Sequence, residues 1–115
     1  MAYVTGFLTP VPHANKARYI KSAEDAWPLF QRYGALKQVE TWGENIEDGK
    51  TTDFKRAVKL EDGEQVVFSW IVWPDKATAD AAWEKMQDDP AMQDFDMPFD
   101  GKRMIWGGFE TIFES

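Results

Sequence analysis

Three carboxylates lying close in sequence to cations or tryptophan are where chemistry in this chain would have to sit. Glu40, Asp53 and Asp100 are the candidate proton acceptors. A carboxylate serves as a general base at neutral pH only when burial raises its pKa. Arg56, Lys102 and Arg103 are the candidate ligand-holding cations, with Ser69 as a hydroxyl partner and Trp42, Trp70 and Trp106 as walls. Arginine takes a carboxylate through two parallel hydrogen bonds and also stacks on an aromatic face, so this set suits a small aromatic acid or an enolate. The same residues support a second reading. Asp53 and Asp100 lie near Arg56 and Arg103 in the chain and would simply neutralise them, because an unpaired charge near a covered sheet is costly.

Other chemistries lose their supports. His13 is the single histidine and there is no cysteine, so a metal or haem would find one nitrogen ligand and no thiolate. His13 reads as a surface residue at a helix start. Aspartates 88, 89, 94, 96 and 100 do not follow the spacing of a calcium loop and read as a solvated acidic segment. Nucleotide-binding glycine loops, a nucleophile elbow and zinc-protease motifs are absent. No metal and no cofactor are expected. A net charge of −7 disfavours nucleic acid and anionic membranes as partners, since both are bound through clustered Lys and Arg. No stretch approaches the roughly 20 apolar residues that span a bilayer, and no signal-like start is present. The expected location is cytoplasmic.

The elements that must position these residues follow from periodicity. At 115 residues, 43% hydrophobic, the chain suits one domain over 1–115. Residues 3–9 are predicted as a strand closed by Pro10 and Pro12. Residues 14–33 form a helix with Ile20, Ala23, Trp27 and Phe30 on one stripe, kinked at Pro28 and ended by Gly34. A second strand covers 35–42. Residues 54–60 and 65–73 are predicted as arms of a hairpin around Glu-Asp-Gly-Glu, the first arm's place in the sheet staying open. Asp75 caps a helix to Gln87, a loop with one turn at Pro90 follows, and residues 102–113 form the last strand.

The order β-α-β-β-α-β is the ferredoxin-like, split βαβ pattern of an α+β protein, with an antiparallel sheet covered by helices on one face. In VVFSWIVW, Phe68, Trp70 and Val72 point one way and Val67, Ile71 and Trp73 the other. Two helices cover one side only, so the exposed apolar side predicts a homodimer in which two sheets face each other. Gly6 and Gly107-Gly108 fall on neighbouring strands of this order, leaving a cavity or room for a large neighbouring Trp.

The segments Gly34-Ala35-Leu36, Val39-Glu40-x-Trp42-Gly43, Thr52-Asp53-Phe54-Lys55-Arg56-Ala57-Val58, Val66-Val67-Phe68-Ser69-Trp70, Trp73-Pro74, Met97-Pro98-Phe99-Asp100-Gly101-Lys102-Arg103-Met104-Ile105 and Gly107-Gly108-Phe109-Glu110 run in order along nearly the whole chain. On these residues the chain resembles the YbaA-like bacterial proteins of unknown function in the dimeric α+β barrel superfamily. That resemblance implies a ferredoxin-like fold and a homodimer. It leaves three functions open: binding of a small aromatic or anionic metabolite in a Trp-lined cavity, a cofactor-free monooxygenase- or isomerase-like enzyme, and a structural or stress-response protein without a ligand.

Overall fold

The computed structural model describes residues 2–115. Four strands and three α-helices follow in the order β1 (Tyr3–Pro12), α1 (Lys16–Arg32), β2 (Lys37–Trp42), α2 (Phe54–Ala57), β3 (Glu64–Trp73), α3 (Lys76–Gln87) and β4 (Ile105–Glu110). Single 3-10 turns at His13–Asn15 and Pro90–Gln93 complete the regular structure of the described residues. α1 runs through Pro28, which lies on its exposed side, and stops where Gly34 takes a positive φ of 108°. α3 starts where the Asp75 carboxylate accepts the Thr78 amide at 2.7 Å.

The strands form one antiparallel sheet in the order β2-β3-β1-β4. This is the split βαβ arrangement: β1 and β2 run parallel to each other with β3 inserted between them. Alternation assigns each side chain to a face. Val67, Ser69, Ile71 and Trp73 of β3 are buried beneath α1 and α3. Leu29, Ala79, Ala82 and Met86 come down from the helices to meet Ile71 and Trp73. Trp83 joins that core edge-on to Phe7, Phe30 and Trp73, with ring centres 5.9–6.4 Å apart. The Trp73 indole N–H is satisfied by the hydroxyl of buried Thr5 at 3.0 Å.

Three expectations are corrected. Residues 54–60 are not a hairpin arm. Asp53 accepts the Arg56 amide and starts the one-turn helix α2, after which Val58 is buried and Lys59 takes a φ of 50°. β1 continues through Pro10 and Pro12, which pair with Val66 and Glu64 on β3. These positions lie beyond Leu8, where pairing with β4 ends, and a sheet edge is where proline is tolerated. The last strand covers Ile105–Glu110 rather than 102–113, because Asp100 accepts the Lys102 amide and closes a turn ahead of it.

Candidate functional site

The sheet face turned away from α1 and α3 carries a groove of about 820 Å³. Val4, Gly6 and Leu8 of β1, Phe68 and Trp70 of β3, and Ile105, Gly107 and Phe109 of β4 contribute to its lining, together with Trp106 and residues 111–113. Phe68 is 46% exposed and Phe109 59% exposed. Gly6 and Gly107 stand directly opposite each other in the register. A Cβ on Gly6 would lie 3.3 Å from the Phe109 ring, so the missing side chains make the bed on which that ring rests. Gly108 on the opposite face has a different role: a Cβ there would collide with the Tyr3 phenol. The large side chains accommodated by these glycines are thus Phe109 and Tyr3, not the expected tryptophan.

On the helix side, the Tyr19 hydroxyl donates to Glu40 Oε1 at 2.6 Å, and Gln38 Nε2 donates to Glu40 Oε2 at 3.1 Å. Ser69 pairs with Glu40 in the β2–β3 register and is buried, as is Thr9. Burial first, and then the neighbouring Glu40 charge, push the Tyr19 phenol far above its ordinary range. Tyr19 therefore remains a proton donor to the carboxylate. Trp42 closes the end of β2, where the Lys16 ammonium lies 5.1 Å from its ring centre and His13 meets it edge-on at 6.0 Å.

The remaining ionic residues serve turns. Asp53 Oδ1 accepts the Arg56 amide at 2.8 Å, and Oδ2 accepts the Arg56 guanidinium at 3.0 Å and the Gly49 amide at 3.1 Å. Those donors, the Arg56 amide foremost, lower its pKa to about 2. Arg56 also donates to the carbonyls of Thr51 and Gly49. Arg103 holds both oxygens of Glu64 at 2.7 Å, Asp100 at 3.0 Å and the Lys59 carbonyl at 3.0 Å. The Arg103 guanidinium keeps Glu64 and Asp100 below the usual carboxylate range. The Lys102 side chain is exposed. The acidic segment is pinned to α1 through Arg18–Asp96 at 2.6 Å and through Asn15, which donates to the Pro98 carbonyl at 2.9 Å.

The candidates thus fall into separate places. Trp70 and Trp106 both contribute to the groove lining from opposite-facing positions of the sheet, Glu40 and Ser69 meet under α1, Trp42 stands at the end of β2, and Asp53–Arg56 and Asp100–Lys102–Arg103 form two turns. Neither Arg56 nor Arg103 lines the groove. Sequence reasoning missed Tyr19, whose signal was a tyrosine on the sheet-facing side of α1. It also missed Phe109, which was visible as a bulky ring beside two glycines. Among the described residues no three His, Asp or Glu side chains converge on a point that could hold a metal ion. No described helix is long and apolar enough to cross a membrane.

This sheet order and one-sided helix layer define a ferredoxin-like α+β protein. The same fold is seen in a solved dimeric ferredoxin-like protein from an uncultured marine organism, with a TM-score of 0.61 at 13% identity and full coverage of both chains. Residues 2–101 match the family described as "Protein of unknown function (DUF1428)", and the chain belongs to that family. It is 53% identical over 116 residues to the uncharacterised protein YbaA of Escherichia coli K12, covering 99% of each chain, and equally similar to YbaA of Shigella flexneri.

Proposed function

We propose that this protein is a homodimeric binding module whose two open sheet faces close over a cavity for a small, flat, apolar compound. The observation that carries this reading is the apolar groove of about 820 Å³ on the sheet face opposite α1 and α3, beyond the end where α2 packs Phe54 on Phe68. A monomer rarely leaves such a patch in water, and the solved ferredoxin-like relative of the same fold is described as dimeric. The glycine pair lets the Phe109 ring lie close against the backbone, so two faces meeting there would enclose a space walled by the rings of Phe109, Trp70 and Phe68. Recognition through the rings fits better than recognition through Arg56 and Arg103, because both guanidiniums are already held by carboxylates. Binding also fits better than proton abstraction at Asp53 or Asp100. Their pairing lowers the pKa, whereas a general base needs it near the working pH.

Calorimetric titration with indole and indole-3-carboxylate tests this. Indole is expected to bind, the carboxylate to bind no more tightly, Trp70→Leu to weaken indole, and Arg103→Met to leave its affinity unchanged. Tighter binding of the carboxylate that depends on Arg56 or Arg103 would overturn the ring-based reading, and absence of binding by either compound would overturn the site.

A further inference from the structure

A second cleft lies on the opposite side of the sheet, where α1 overhangs the free edge of β2. It measures about 580 Å³ and includes Ile20, Trp27 and Leu36 in its lining, with Gln38 and Glu40 as polar groups. Ile20 is 48% exposed and Leu36 61% exposed, so two large apolar side chains here meet water. We propose that this cleft binds a small organic ammonium, its charged nitrogen on the Glu40 carboxylate and its hydrocarbon body against Trp27, Ile20 and Leu36.

Three features of the cleft select that chemistry. First, Glu40 is held in place before any ligand arrives: Tyr19 fixes Oε1 at 2.6 Å and Gln38 fixes Oε2 at 3.1 Å. Each carboxylate oxygen keeps acceptor capacity beyond its one protein donor, and that capacity suits an N⁺–H donor. Second, the lining carries two carboxylates, Glu24 and Glu40, against the single ammonium of Lys37, within a chain of net charge −7. An anion is disfavoured there and a cation is attracted. Third, an indole is the strongest of the aromatic faces for a cation, and Trp27 supplies one beside the acids. Tyr19 acts as a positioning residue, since it orients Glu40 from outside the cleft lining, and Gln38 orients Glu40 from within it. The site is independent of the open sheet face, so a dimer or a monomer presents it equally.

The test uses the full chain and two probes of nearly equal shape, cyclohexylamine hydrochloride and cyclohexanol. Binding is followed by calorimetry, and the site by the indole resonance of Trp27 in nitrogen-15 spectra, assigned with Trp27→Phe. The amine is expected to bind at least about tenfold more tightly than the alcohol, the effect of one charge-assisted contact, and to move the Trp27 resonance but not that of Trp70. Glu40→Gln should remove that preference with the spectrum otherwise folded, and Tyr19→Phe should reduce it while leaving the probe at Trp27. Equal affinity of amine and alcohol, an unchanged preference in Glu40→Gln, a response at Trp70 instead of Trp27, or no binding up to the solubility limit would each overturn the proposal.

Discussion

Asp53 does two tasks, of which sequence reasoning named only the pairing with Arg56. It caps α2 through the Arg56 amide and neutralises the Arg56 guanidinium, and both act on its charged form. Its pKa in the folded chain is lowered to about 2, whereas an unfolded aspartate titrates near ~3.9. The stability it contributes is therefore complete above the unfolded value and is lost as pH falls through the folded one. Glu64, Asp75, Asp89, Asp96 and Asp100 are shifted in the same direction, by Arg103, Thr78, Ala91, Arg18 and Arg103 respectively as first cause. Thermal midpoints followed by circular dichroism are expected to stay level above about pH 5 and to fall steadily below about pH 4. Asp53→Asn keeps a capping side chain and removes one of these titrations, so its acid limb should be shallower. An acid limb superimposable on that of the unmodified chain would show that Asp53 contributes nothing in this way.

Elements with a clear period were legible in the sequence, and those built from local polar contacts were not. The alternation in VVFSWIVW fixed the two faces of β3, and Asp75 marked the start of α3, because both signals lie on single residues at fixed spacing. The α1 stripe was legible only in part. Ile20 and Trp27 share the spacing of Phe30, yet only Trp27 and Phe30 pack against the core, while Ile20 lies in the cleft beside β2 and stays exposed. Residues 54–60 misled because FKRAVKL has the composition of a strand, while the deciding contact is an aspartate side chain to a backbone amide three residues on. The candidate site was harder still. Which cation meets which carboxylate depends on turns at 49–56 and 100–103, and periodicity says nothing about those. Gly34 offers a test at this scale. It has a φ of 108°, and a Cβ there would lie 2.6 Å from the Thr78 methyl, so the join between α1 and α3 depends on a missing side chain. Gly34→Ala should destabilise the chain by about 1 kcal/mol or more in urea unfolding. A change within experimental scatter would mean that the join relaxes freely.

For the whole molecule, one sheet separates two environments. The face under α1 and α3 holds the core and its paired polar groups, and the other face presents Val4, Leu8, Phe68, Trp70, Ile105 and Phe109, where α2 reaches only the Phe68 end through Phe54. Those side chains are what a second copy would cover, over an interface of roughly 1,600 Å² or more if it is stable. The dimer, the cavity and the choice of a flat apolar ligand all depend on that face being closed. Sedimentation equilibrium of the unmodified chain and of Trp70→Glu at micromolar concentration tests this most directly. The expected result is a dimer for the unmodified chain and a folded monomer for Trp70→Glu, since an unpaired carboxylate at the centre of an apolar interface is costly to bury. A stable monomer for the unmodified chain, or a dimer that Trp70→Glu leaves intact, would contradict the account.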